Sequence, residues 1–282
     1  MGYDYIRPAS LEQALSLAAQ GESALIAGGT DLLVALHKKK RPAPGRLISI
    51  RSLPELAGIR DEGARLRIGA AVPLADLLAH PAQARLPALA KALGVMGSRQ
   101  IRNVATLGGT LCNASPGADA APPLLALGAG VELAGPAGRR TLDLAEFFRG
   151  PGRTALQPGE IMTAVLVPWP GAGTQSHFLR RSRVAMDIAT VSLAACFGLT
   201  NNRLSGVRLA AGAVAPVPLR LRATETFLEG KALTDETLAE AAKLARADVA
   251  PISDLRGTAW YRRELVGVFL ARALRAGNGG KP

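Results

Sequence analysis

Behind Ser10 the apolar residues recur at helical spacing. Leu11, Ala14, Leu15 and Ala18 share one face, and Gln13, three residues after Ser10, adds a capping signal. Gly21 ends that helix. Ser23–Ala27 then reads as a short buried strand, Gly28-Gly29-Thr30 as a turn, Asp31–His37 as a second helix and Leu47–Ile50 as a strand. Residues 1–52 are therefore expected to form a helix–strand–helix–strand unit. In the next block Arg65-Leu66-Arg67-Ile68 alternates as an edge strand does, and Pro73–Leu78 and Leu86–Val95 read as helices. A glycine-rich loop covers 108–117 and a helix covers 120–127. A hairpin turns through Gly135-Pro136-Ala137-Gly138, a short helix spans Leu144–Phe148, and Ile161–Val167 closes the block as a strand.

Pro168-Trp169-Pro170-Gly171-Ala172-Gly173-Thr174 reads as a linker, and the pattern changes after it. Thr190–Leu199 and Leu204–Val214, joined at Asn201-Asn202, predict a long antiparallel hairpin. Helices follow over Arg222–Leu228, Asp235–Ala247 and Arg256–Arg275, and residues 277–282 are expected to be a disordered tail. The organisation predicted is 1–52 and 53–170 as two subdomains and 175–276 as a C-terminal α+β domain.

Composition narrows the class. The 282 residues are 48% hydrophobic and 20% charged, too apolar for a disordered chain. No run of about 18 apolar residues lacks charged, Gly or Pro interruptions, so no membrane span is expected. The first residues carry an acid and a proline where a secretory signal needs a basic and then an apolar stretch, so a cytoplasmic protein is expected. Cys112 and Cys196 stand far apart without a CxxC, and His37, His80 and His177 stand singly, as surface or loop residues. That pattern speaks against a thiolate cluster or a metal site within this chain, and leaves redox chemistry to an organic cofactor.

The net charge is +12, and 27 of the 34 basic residues are Arg. They are spread along the chain, and with only 4% aromatics no base-stacking surface is expected, so nucleic acid is not expected as a partner. The one basic run, His37-Lys38-Lys39-Lys40-Arg41, reads as a helix C-terminus entering an exposed loop, with an acidic protein partner as the next reading. Trp169 and Trp260 read as packing residues.

Two glycine segments carry candidate chemistry. In Ala27-Gly28-Gly29-Thr30-Asp31-Leu32-Leu33 a buried strand delivers a Gly-Gly turn at a helix start. Backbone N–H groups there can meet an anion closely, although an ordinary capped glycine turn fits as well. The second runs from Gln100 to Asp119 and offers Thr106, Gly108, Gly109, Thr110, Asn113 and Ser115 with one carboxylate, Asp119. It can wrap a pyrophosphate while Asp119 accepts from a sugar hydroxyl; a polar loop with Asp119 as helix cap is the alternative. Cys112 within it reads as a small buried thiol.

Together, AGGTDLL and QIRNVATLGGTLCNASPGAD, in this order and separation, resemble the FAD-binding (medium) subunit of the molybdenum hydroxylases. That family includes the carbon monoxide dehydrogenase medium subunit and the xanthine dehydrogenase FAD domain. The resemblance extends through Gly159-Glu160-Ile161-Met162 and Phe178–Ala189, to about residue 275. It implies an α+β fold in which two small α/β subdomains of the PCMH type sandwich FAD, followed by a C-terminal domain with a three-stranded antiparallel sheet and helices.

The resemblance also implies roles. Ala27, Gly28, Gly29, Thr30, Asp31, Leu32 and Leu33 would hold the FAD pyrophosphate through backbone N–H groups, and Thr106, Gly108, Gly109 and Thr110 would grip it from the other side, with Asn113 nearby. Asp119 would bind ribose or ribityl hydroxyls, Ile161 and Met162 would lie near the ring system, and Arg180 would reach the flavin. Thr110 stands where the family usually has Asn, and Leu179 where a basic residue often precedes the Arg pair. The implied role is noncovalent FAD in an electron-transfer subunit. Partners would be a small subunit with 2Fe-2S clusters and a large molybdenum-pterin subunit, in a dimer of heterotrimers that passes electrons to NAD, a quinone or another acceptor. A stand-alone flavin oxidoreductase and a basic binding protein without enzymatic activity are the competing classes.

Overall fold

Ser10 does cap the first helix: its hydroxyl accepts from the Gln13 N–H at 3.2 Å, and the helix spans Leu11–Ala19. The computed structural model describes residues 2–277, so the expected disordered tail lies, from residue 278 onward, outside the described residues. By contacts the chain falls into two units. One holds the residues up to 80 with 97–113 and 129–168, the other 81–96, 114–128 and 169 onward.

The first unit contains two sheets. Strands β1 (Asp4–Ile6), β2 (Ser23–Ile26) and β3 (Arg46–Ser49) form a parallel sheet in the order β1-β3-β2, with a small core of Ile26, Leu36 and Leu47. The three residues of β1 are too few to carry a period, which is why the pattern missed that strand. Helix Leu32–His37 returns the chain from β2 to β3, as a parallel pair requires a crossover. The second sheet contains β4 (Ile59–Asp61), β5 (Arg65–Gly69), β6 (Gly130–Gly135), β7 (Gly138–Asp143) and β10 (Ile161–Pro168) in the order β4-β5-β10-β6-β7. A short ribbon, β8 (Phe148–Gly150) with β9 (Arg153–Thr154), stands apart from it. β5 is an inner strand, not an edge: its alternation reflects one buried face, and β4 covers its outer side. β10 is central and buried from Ile161 to Val167, which explains its unbroken apolar run. A bulge between Met162 and Ala164 breaks its register with β6.

The second unit is built on β11 (Thr174–Arg181), β12 (Val191–Thr200), β13 (Arg203–Gly212) and β14 (Leu219–Arg220), a meander in that order. The sheet therefore has four strands where the resemblance implied three. The fourth has two residues, paired with Ala210 and Ala211, too short for a pattern to reveal. Helices Arg222–Leu228, Asp235–Ala247 and Ala259–Ala276 supply Leu228, Leu238, Ala241, Phe269 and Leu270 to a core with Leu193, Phe197 and Leu209. The last helix starts later than the pattern suggests. Thr258 caps it by accepting from the Tyr261 N–H, while Arg256 stays in the preceding loop and pairs with Asp254. Trp260 is 69% exposed and is not a packing residue. His177 lies in β11, half-buried against the Phe197 ring, and not in a loop.

Arg262 ties this helix to the sheet. It is buried and donates to the Thr190 and Ala213 carbonyls at 3.0 and 2.8 Å and to Asp254 at 2.6 Å. Arg262→Leu should lower stability by about 3–5 kcal/mol, because it strands two carbonyls and a carboxylate; a urea midpoint unchanged from wild type would contradict that anchoring role.

Candidate functional site

β2 ends at Ile26, and Ala27-Gly28-Gly29 turns the chain away at its carboxyl end, the end at which open parallel sheets receive ligands. Gly29 has φ +72°, a left-handed conformation that glycine takes without strain. Gly28 is required for a different reason. A β-carbon there would lie 2.2 Å from the Val104 carbonyl oxygen, so the first glycine turn rests directly on the backbone that leads into the second. Gly108 repeats the device: its β-carbon would meet the Ala70 side chain at 2.6 Å and the Ala70 carbonyl at 2.7 Å. Three stretches of backbone thus meet at contact distance, and a cleft of about 360 Å³ lies over them.

The cleft gathers most of the expected residues. Ala27, Gly28, Gly29, Thr30, Asp31 and Leu32 line it from the first turn, Thr106, Gly108, Gly109, Thr110 and Asn113 from the second segment, and Ile161 and Met162 from β10. Leu33 does not line it; its N–H donates to the Gly29 carbonyl at 3.0 Å and its side chain is exposed.

The two glycine segments differ in what they offer. Among the described residues, no protein acceptor takes the N–H groups of Gly28, Gly29, Thr30 or Asp31. The second segment is a helix, Leu107–Cys112, where the pattern read a loop, and its N–H groups are engaged. Gly108 donates to the Ala70 carbonyl, Gly109 to the Thr106 hydroxyl at 3.1 Å and Thr110 to the Thr106 carbonyl. Thr106 is its cap, and this wall of the cleft offers close-set backbone and the polar side chains of Thr110 and Asn113. Cys112 also lines the cleft, and desolvation pushes its thiol up to about 12.

Among the described residues, Asp31 and Arg41 are the only charged ones lining the cleft. Burial raises the Asp31 carboxyl above its ordinary range and Arg41 partly offsets that. Sequence reasoning missed Arg41 because the basic run around it reads as an exposed helix end. Only its last residue turns toward the cleft, a placement that no spacing in the run encodes.

Asp119 and Arg180 belong to the second unit and are paired there, Nε to Oδ2 at 2.9 Å, with side chains only 7% and 10% exposed. Asp119 does not cap the helix Ala121–Ala126. The Arg180 guanidinium also donates to the Ser182 hydroxyl and to the Ala185 and Asp187 carbonyls, so all three of its nitrogens are engaged within this unit. Burial pushes the Asp119 carboxyl up to about 6 against the opposing pull of Arg180. Its second oxygen, Oδ1, is buried without a partner.

A turn of free backbone donors at the end of a parallel strand, beside a second close-packed glycine segment, has the chemistry to receive an anionic group. The FAD-binding domain of molybdopterin dehydrogenases matches residues 1–170, and the CO dehydrogenase flavoprotein C-terminal domain matches residues 176–276. The chain belongs to this family, the FAD-binding subunits of the molybdenum hydroxylases, and is an oxidoreductase subunit. It is 38% identical over 277 residues to the carbon monoxide dehydrogenase medium chain of Hydrogenophaga pseudoflava, covering 97% of this chain and 96% of that one. It is 37% identical over 285 residues to the putative xanthine dehydrogenase FAD-binding subunit of Escherichia coli (strain K12), covering 98% and 97%. Among solved structures, carbon monoxide dehydrogenase from Hydrogenophaga pseudoflava superposes with a TM-score of 0.95 at 37% identity over 99% of this chain and 98% of that one. Quinoline 2-oxidoreductase from Pseudomonas putida 86 gives 0.93 at 30% over 99% and 98%.

The contact at Gly28 makes a structural prediction independent of any ligand. Gly28→Ala should cost about 1–3 kcal/mol as the glycine turn and Val104 are forced apart. Urea unfolding of the cofactor-free protein checks it, and an unchanged midpoint would mean the two segments do not touch.

Proposed function

We propose that this chain is the electron-transfer subunit of a multi-subunit molybdenum hydroxylase and holds one noncovalent FAD. The observation that carries the reading is the first glycine turn: four adjacent residues, Gly28 to Asp31, line a cleft and have N–H groups without protein acceptors among the described residues. The residues fit the cofactor. Backbone donors from Ala27–Leu32 would take the diphosphate, Thr110 and Asn113 would add side-chain hydrogen bonds, and Ile161 and Met162 would give apolar contact for the ring system. Asp119 Oδ1, a buried acceptor without a partner, would receive a ribose or ribityl hydroxyl, with Arg180 holding the carboxylate in place. Residues 1–52 and 53–170 serve as the two FAD-binding subdomains and 175–276 as the C-terminal domain.

FAD, when bound, supplies the capacity to accept electrons singly or in pairs and to pass them on. The chain's own residues bind and orient it. Cys112 and Cys196 are the chain's two cysteines, fewer than the four thiolates that a 2Fe-2S cluster takes. The electrons are therefore assigned to an iron–sulfur small subunit and the substrate chemistry to a molybdenum-pterin large subunit, assembled as a dimer of heterotrimers. NAD, a quinone or another carrier is the final acceptor, and the complex is placed in the cytoplasm.

The purified chain should show flavin absorption at one FAD per protomer and pass electrons from a strong reductant to an artificial dye. It should oxidise no carbon substrate until the two partner subunits are added. Flavin reduction by substrate in the isolated chain, followed by stopped-flow absorbance, would overturn the assignment. Asp119→Asn tests the sugar acceptor. Loss of a charge-assisted hydrogen bond worth about 1.5–3 kcal/mol should weaken FAD at least tenfold. With the free carboxyl titrating at about 6, wild-type affinity should also fall between pH 7 and pH 5, because the protonated form loses the charged acceptor, while the Asn variant should be flat. Parallel pH profiles by fluorescence titration would remove Asp119 from the site.

A further inference from the structure

Whatever anion enters the cleft meets an almost uncharged wall. Twenty-four of the described residues line it, and of these only Asp31 and Arg41 carry charge. Asp31 is exposed, makes no side-chain cap to the helix Leu32–His37, and lines the same cleft as the free N–H groups of the first turn. A carboxylate there opposes a diphosphate, which brings two further negative charges. Arg41 is exposed and makes no ion pair with Asp31 or with any other carboxylate among the described residues. It reaches the cleft from the loop after the helix, at the end of a basic run whose other members, His37 to Lys40, do not line it.

Resting on the reading of this cleft as the FAD site, we infer that Arg41 is the cation that neutralises the cofactor diphosphate and offsets Asp31. The backbone N–H groups fix where the phosphates sit, but they are partial charges of one fixed strength. A guanidinium adds a full charge and paired donors matched to phosphate oxygens. Asp31 and Arg41 thus form an opposed couple that tunes how firmly the cofactor is held. Because Arg41 is exposed, its share is screened by salt, whereas the backbone share is not.

The test is FAD affinity of the cofactor-stripped protein, measured by quenching of flavin fluorescence at low salt and at about 0.5 M salt, above the concentration at which the Debye length falls well below 10 Å. At low salt Arg41→Gln should raise the Kd about tenfold and Arg41→Lys about threefold, since lysine keeps the charge without the paired donors. Asp31→Asn should lower the Kd, and the double variant should return toward wild type. Raising the salt should weaken wild type toward Arg41→Gln and leave that variant nearly unchanged. Lys38→Gln, on the same run but away from the cleft, should behave as wild type, and unchanged thermal unfolding of Arg41→Gln would show that the effect is on binding. A wild-type protein that takes up no FAD would overturn the reading of the cleft and this inference with it. A wild-type protein that binds FAD while Arg41→Gln binds it equally at both salt concentrations would overturn this inference alone.

Discussion

The geometry of the cleft depends on one steric constraint: backbone must touch backbone where the first glycine turn meets the entry to the second. Gly28 lies against the Val104 carbonyl, and Gly108 lies against the backbone and β-carbon of Ala70. Both contacts are shorter than any β-carbon tolerates, so glycine is fixed there by packing before any ligand is considered. Beside that joint the N–H groups of Gly28 to Asp31 have no protein acceptor among the described residues.

The two glycine segments look alike in sequence and differ in use. In the first the glycines leave donors free. In the second the Leu107–Cys112 helix consumes them, through the Ala70 carbonyl and the two oxygens of Thr106. The second segment therefore contributes proximity and side-chain polarity rather than a second set of amides. That difference gives a physical reading of Thr110: its backbone N–H is already bound to the Thr106 carbonyl, so what the position offers a ligand is its side-chain hydroxyl, donor and acceptor at once, where Asn would offer an amide N–H and carbonyl.

Much of this was legible in the sequence. The helices Arg222–Leu228 and Asp235–Ala247, the β6–β7 hairpin and the buried β10 follow from periodicity and turn residues, and thirteen of the sixteen expected site residues line one cleft. What was not legible has common causes. β1 and β14 are too short to show a period, and β5 alternates as an edge strand although β4 covers it. A glycine-rich helix start looks like a loop when read by composition. Arg41 and the pairing of Asp119 with Arg180 are long-range placements, which no local pattern records.

Each unit holds an opposed pair of charges, Asp31 with Arg41 in the first and Asp119 with Arg180 in the second, and the two pairs differ in their surroundings. Asp119 and Arg180 are almost fully buried, so their attraction acts at low effective dielectric and must be met by further bonds. Arg180 has them, from Ser182, Ala185 and Asp187, whereas Asp119 is left with one oxygen unmatched. A buried acceptor left open on one side is costly unless a donor reaches it. Asp31 and Arg41 sit instead at a cleft open to water, where each can be screened and neither fixes the other. The first couple is held in one geometry by its surroundings, and the second stays open to adjustment by solvent and salt.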